Sequence, residues 1–179
     1  MPERIHLIGV CGTAMATVAA LLKSRGHDVR GSDQNIYPPM SDFLQQEGIR
    51  TFIGYDAAHI TSDVDLVVVG NAISRGNPEL EAVLERKVRY CSLPEIVRDQ
   101  FLWGAISVVV AGTHGKTTTT SLTGWLLAHG KLDPTVLVGG IALNFGESGS
   151  SYRIGGGRHF VIEGGEYDSA FFDKTPKFP

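Results

Sequence analysis

The stretch Val109-Val110-Ala111-Gly112-Thr113-His114-Gly115-Lys116-Thr117-Thr118 limits the possible folds more than any other part of this chain. An apolar run, Ile106 to Ala111, leads into a short glycine-containing turn, and Lys116 and several threonines open a helical pattern. That is the order strand, phosphate loop, helix. Such a turn aims backbone N–H groups and a helix N-terminus at an anion. Lys116 is placed to reach terminal phosphates, and a threonine hydroxyl to ligate Mg²⁺. The match to G-x-x-x-x-G-K-[ST] is incomplete, because its first glycine falls at Val110. An ordinary strand-to-helix turn with an exposed lysine is the alternative.

The N-terminal part repeats the order. Residues 5–10 form a short apolar run suited to a buried parallel strand. Cys11-Gly12-Thr13 turns the chain, and Met15 to Leu22 reads as a helix ending near Gly26. His27 to Arg30 reads as a second strand, followed by Gly31-Ser32-Asp33, which makes a βαβ unit opening a doubly wound sheet. Gly9 and Gly12 give G-x-x-G, not G-x-G-x-x-G. Asp33 stands about 20 residues on, where a ribose-binding acid belongs in a dinucleotide fold. These residues leave open a dinucleotide, another phosphorylated ligand, or an acid that only caps the next turn.

Helix 41–47, strand 50–53 and strand 65–69 follow. Ligands gather at strand C-terminal ends in an open α/β sheet, so Gly70 and Asn71 are candidates for the same ligand, with a plain polar turn as the alternative. Asn77-Pro78 starts a helix. Val88 to Cys91 reads as a strand, and Ser92 and Glu95 have capping-box spacing for a helix reaching about Leu102. A new unit is expected near residues 100–104, giving domains at 1–102 and 103–179. In the second, strand 106–111, helix 117–128 with Gly130 just past its end, and strand 135–138 precede a Gly/Ser-rich connection over 144–157. Strand 159–163 ends in Glu163, where a phosphate-loop enzyme needs an acid to hold Mg²⁺ or position water. Glu166 and Asp168 follow closely, and a nearby cation would relieve their mutual repulsion. A solvated acidic loop is the competing reading.

Composition narrows the rest. With 42% hydrophobic residues the 179-residue chain can bury a core as one large or two small domains. A net charge of −3 without a long basic run makes nucleic acid an unexpected partner. No apolar stretch approaches the roughly 20 residues of a membrane span, so no membrane partner is expected. Cys11 and Cys91 suggest reduced thiols in a cytoplasmic protein, and with Met1-Pro2-Glu3-Arg4 leading directly into a strand no signal peptide is expected. The sequence stops after a strongly patterned region with no closing helix, which reads as the first piece of a longer protein, less ordered after about residue 140.

At this point the residues resemble a family. Ala111-Gly112-Thr113-His114-Gly115-Lys116-Thr117-Thr118-Thr119 looks like the ATP-binding loop of the Mur ligases, and Gly9-Val10-Cys11-Gly12-Thr13-Ala14-Met15 resembles their UDP-sugar-binding turn. The resemblance implies a Rossmann-like N-terminal domain, then the start of a P-loop ATPase-type central domain, out of three domains in the family. It implies that Gly9, Cys11, Gly12, Thr13 and Met15 line the UDP-sugar turn, with Asp33 near the ribose and Asn71 and Ala72 on the adjacent strand end. Gly112, Thr113, Gly115, Lys116, Thr117 and Thr118 would hold ATP phosphates. Thr117 and Glu163 would bind Mg²⁺, with Glu166 beside them, Lys116 and Glu163 would serve the chemistry, and His114 would face the sugar. Where Glu-Ala-Asp-Glu is expected, this chain has Glu163-Gly164-Gly165-Glu166.

The stretches 31–40, 70–78 and 166–174 are similar to the branch that joins the recycled tripeptide L-Ala-γ-D-Glu-meso-diaminopimelate to UDP-N-acetylmuramate. The L-alanine-adding branch is the alternative, and an oxidoreductase domain over 1–100 is a third reading. The implied reaction consumes ATP through an acyl phosphate, and the chain alone is expected to bind the UDP-sugar without ligating it.

Overall fold

The computed structural model describes residues 1–145 and 150–164. They divide into two compact units, Met1–Ile96 and 97–164. Glu166, Asp168 and the 166–174 stretch lie outside the described residues, as does part of the region expected to be less ordered.

The first unit runs β1 (Arg4–Ile8), α1 (Thr13–Ser24), β2 (Asp28–Asp33), α2 (Met40–Gln46), β3 (Arg50–Ile53), β4 (Leu66–Val69), α3 (Pro78–Glu85) and β5 (Tyr90–Ser92). Its strands lie in the order β3-β2-β1-β4-β5, and every pair is parallel. A parallel sheet covered on both faces needs apolar side chains on both, which is why Ile5, Leu7, Ile8, Val67 and Val68 are all fully buried. The chain goes outward from β1 to β3 and then crosses back to β4. Strand order therefore reverses between β1 and β4, and that reversal opens a crevice at their C-terminal ends.

One boundary differs from expectation. β2 does not stop at Arg30 but continues through Gly31, Ser32 and Asp33, which pair with Thr51, Phe52 and Ile53. Glycine permits this close approach: a Cβ at Gly31 would lie 2.6 Å from Val10 Cβ and 2.7 Å from the Leu7 carbonyl oxygen.

Leaving β5, Ser92 and Glu95 form the expected capping box: the Ser92 N–H donates to Glu95 Oε2 at 2.7 Å and the Glu95 N–H to Ser92 Oγ at 3.3 Å. It starts α4 (Leu93–Val97), which continues as a wider turn over Arg98–Leu102.

The second unit continues with β6 (Ile106–Val110), α5 (Lys116–His129), β7 (Thr135–Ala142), β8 (Ser150–Arg153) and β9 (His159–Glu163). Its sheet order is β6-β9-β7-β8, parallel except for β8, which runs antiparallel to β7. α5 packs closely on β7 because residue 124 is glycine; a Cβ there would meet Val136 Cγ2 at 2.6 Å. Three expectations change. The Gly/Ser-rich connection contains β8, and the glycines after it are clamped by Asp133, whose carboxylate accepts from Arg153 Nη2 at 2.6 Å and from the Gly156 N–H at 2.7 Å. β7 runs through Gly139-Gly140 instead of ending there. The left-handed residue after α5 is Lys131, φ 62°, while Gly130 has an ordinary φ of −71°. Among the described residues, no helix is long and apolar enough to cross a membrane.

Candidate functional site

Each unit carries a turn of the same construction. In the first, β1 ends at Ile8, Gly9 takes a left-handed φ of 85°, and Gly12 precedes α1 with no side-chain oxygen capping the helix. The opening N–H groups of a helix have no partner within it, which suits them to donate to an anion. The turn is pinned from β2: the Ser32 carbonyl accepts the Gly9 and Val10 N–H groups at 2.8 and 3.0 Å, and Asp33 Oδ2 accepts the Cys11 N–H at 2.8 Å. Asp33 thus holds the turn directly. Gly70, at the end of β4, comes so near that a Cβ on it would stand 2.8 Å from the Ile8 carbonyl oxygen. Asn71 and Ala72 follow, exposed, on the neighbouring strand end. Met15 is buried, 5% exposed, and supports the turn from beneath.

Burial, and secondarily the Asp33 carboxylate, push the Cys11 thiol up to about 11 from an ordinary 9.0. A rise of that size leaves about 100-fold less thiolate at pH 8 than an ordinary thiol has. The thiolate of a higher-pKa thiol is the stronger nucleophile, which recovers about tenfold, so Cys11 should alkylate with iodoacetamide about tenfold more slowly than an unperturbed thiol. Mass spectrometry of the Cys11 peptide checks this, and labelling at the rate of free cysteine would contradict it.

In the second unit Gly112, Thr113 and His114 lie exposed in the loop after β6. Gly115, φ 74°, is the residue before α5, again without a side-chain cap. Lys116, Thr117 and Thr118 form the first turn of the helix. His114 Nδ1 lies 3.2 Å from Thr113 Oγ1. Glu163, at the end of β9, is 2% exposed. One of its oxygens accepts the Thr117 hydroxyl at 3.2 Å and the other accepts the Gly139 N–H at 2.9 Å. Thr117 and Glu163, which are 46 residues apart, are thus adjacent. Hard oxygen donors of this kind suit Mg²⁺, which keeps most of its shell for water and phosphate and needs only one or two protein ligands. No group of three or more His, Cys, Asp or Glu side chains able to hold a metal occurs among the described residues.

A cluster the sequence reading did not single out lies under the first turn. Glu79 and His6 are fully buried. Glu79 Oε2 lies 3.1 Å from His6 Nε2 and accepts the Ser32 hydroxyl, while Oε1 lies 2.6 Å from His59 Nδ1. Burial alone would raise this carboxyl, but the hydrogen bonds from His6, Ser32 and His59 outweigh it and hold Glu79 below its ordinary value. The available signal was His6, a polar residue inside an apolar strand, which has to find a partner.

The chain belongs to the Mur ligase family: the match described as "Mur ligase family, catalytic domain" covers residues 4–101. The chain is 48% identical over 176 residues to the UDP-N-acetylmuramate–L-alanyl-γ-D-glutamyl-meso-2,6-diaminoheptandioate ligase of Haemophilus influenzae, covering 98% of this chain and 38% of that enzyme. It is 41% identical over 167 residues to a UDP-N-acetylmuramate–L-alanine ligase of Methylobacterium radiotolerans, covering 93% of this chain and 34% of that enzyme. The solved structure of UDP-N-acetylmuramate:L-alanyl-γ-D-glutamyl-meso-diaminopimelate ligase from Neisseria meningitides superposes with a TM-score of 0.91 at 40% identity, over 99% of this chain and 57% of that one. The chain therefore spans about two-fifths of the length of its first curated relative, 38%.

Proposed function

We propose that this chain is the substrate-anchoring part of an ATP-dependent ligase that joins L-Ala-γ-D-Glu-meso-diaminopimelate to UDP-N-acetylmuramate in peptidoglycan recycling. Residues 1–102 form the UDP-sugar-binding domain and 103–179 the beginning of the ATP-binding central domain. One observation carries the reading: each unit ends a parallel strand in a glycine turn that leads into a helix with no side-chain cap. Identity of 48% to a tripeptide-adding enzyme, against 41% to an L-alanine-adding one, supports the tripeptide as donor.

In this reading the turn at Gly9, Cys11, Gly12 and Thr13, seated on Met15, takes the UDP portion, with Asp33 holding the turn and Asn71 and Ala72 beside it. Gly112, Thr113, Gly115, Lys116, Thr117 and Thr118 take the ATP phosphates. The sugar carboxylate attacks the γ-phosphorus and ADP leaves. The tripeptide amine then attacks the acyl carbon and phosphate leaves. The physical difficulty is bringing two anions together. Lys116 and the loop N–H groups offset that repulsion, and no side-chain nucleophile is required. Thr117 and Glu163 would hold Mg²⁺, which supplies further neutralisation of phosphate charge, with Glu166 as a further donor; His114 would face the sugar. Calorimetric or thermal-shift titration of the chain with UDP-N-acetylmuramate and NAD⁺ tests the class: stabilisation by the UDP-sugar alone is expected, and stabilisation by NAD⁺ alone overturns the reading. In a full-length ligase carrying this segment, faster turnover with L-alanine than with the tripeptide would assign the chain to the L-alanine-adding branch.

A further inference from the structure

We infer that Glu79, clamped by His6 and His59, is a positioning residue for the UDP-sugar turn and acts on it through Ser32. The side chain and the backbone of Ser32 point to two different partners. Its hydroxyl donates to Glu79 Oε2, and its carbonyl receives both the Gly9 and Val10 N–H groups, at 2.8 and 3.0 Å. Ser32 is fully buried in β2 opposite Ile8, the last residue before the turn. Where Ser32 sits therefore sets where the turn begins.

Glu79 is itself fixed from several sides. It occupies the first turn of α3, where a carboxylate is favoured by the helix N-terminus. Asn77 caps that turn, its side chain accepting the Glu79 and Leu80 N–H groups at 3.0 and 3.1 Å. The carboxylate oxygens are shared between His6 of β1, His59 of the short helical turn Ala57–His59, and the Asp56 N–H at 3.3 Å. A Phe52 ring from β3 stacks on His59 with centroids 4.4 Å apart. His6 Nδ1 is buried without a hydrogen-bond partner among the described residues. A bare acceptor there costs less than an undonated N–H, so the proton sits on Nε2 and is given to Glu79. A carboxylate with its acceptor positions filled this way fixes the Ser32 rotamer. A hydrophobic core of equal volume would not.

Part of the test does not depend on what the turn binds. Amide hydrogen exchange of the chain is measured for the unaltered protein, Ser32→Ala and Glu79→Gln. Exchange at Gly9 and Val10 should accelerate about tenfold in both variants, with Leu7 and the β4 amides unchanged. Equal acceleration through β1 and β4 would make the network merely structural and overturn the inference, and unchanged exchange at Gly9 and Val10 would overturn it as well. The second arm rests on the reading of this turn as the UDP-sugar site. UDP-N-acetylmuramate should bind both variants about tenfold more weakly than the unaltered chain. Failure of the unaltered chain to bind would sink the ligand reading while leaving the exchange result to decide the positioning role. Equal binding by all three proteins would sink the positioning role alone.

Discussion

Lys116→Ala is expected to slow ATP-dependent ligation in a full-length ligase carrying this segment by about 10²–10³ in kcat, while affinity for UDP-N-acetylmuramate stays unchanged. Lys116 stands in the first turn of α5, directly after a left-handed Gly115 that no side chain caps. It is the one cation in the stretch Val109–Thr118 apart from whatever charge His114 carries. A loose phosphoryl-transfer transition state spreads negative charge over the phosphoryl oxygens, and the attacking group is itself anionic. On the proposed reading, removing the lysine takes away charge where the reaction concentrates it, while every residue of the first unit is kept. Single-turnover rates measured alongside UDP-sugar titrations separate the two effects. A kcat within tenfold of the unaltered enzyme would remove Lys116 from the chemistry.

Gly31→Ala should be the most damaging small substitution in the first unit. The added Cβ would sit 2.6 Å from Val10 Cβ and 2.7 Å from the Leu7 carbonyl oxygen. Both neighbours are buried, and the second is backbone in the central strand, so neither can swing aside. Overpacking of this kind costs about 3 kcal/mol at the upper end of its usual range. For a domain of about 100 residues that lowers the melting midpoint by roughly 12–24 °C. Because Val10 belongs to the turn proposed to take the UDP portion, UDP-sugar affinity should fall together with stability if that proposal holds. Thermal melting followed by far-UV circular dichroism measures the first effect. A midpoint shift below a few degrees would mean that β1 and β2 can part without cost.

The local order of elements was legible because it rests on short-range signals. Strand 50–53 and the Asn77-Pro78 helix start are found where apolar runs and capping residues put them, and the Ser92–Glu95 box forms both of its hydrogen bonds. What could not be read depends on partners distant in sequence. β8, Ser-Ser-Tyr-Arg, has no apolar alternation of its own and becomes a strand only because β7 offers it an antiparallel edge. β6 is an apolar run, yet Ile106 and Val109 are 46% and 38% exposed, since β9 alone pairs with it among the described residues. The adjacency of Thr117 and Glu163 follows from strand order β6-β9-β7 and from α5 packing over it. The glutamate beneath Ser32 was invisible for the same reason: 47 residues separate Glu79 from Ser32 and 73 separate it from His6.

The two uncapped turns have a consequence for how such a protein could be inhibited and how it could escape. Both offer peptide N–H groups in place of side chains. A point mutation exchanges side chains but leaves the peptide group in place. A compound that satisfied the N–H groups of the first turn would meet donors that persist in every variant that still folds. Moving those donors means rerouting the chain at Gly31 or Gly70, where any Cβ would come within 2.6 or 2.8 Å of a buried neighbour. Escape from such a compound would have to come through side chains, and the exposed rim at Asn71 and Ala72 is where they stand beside the turn.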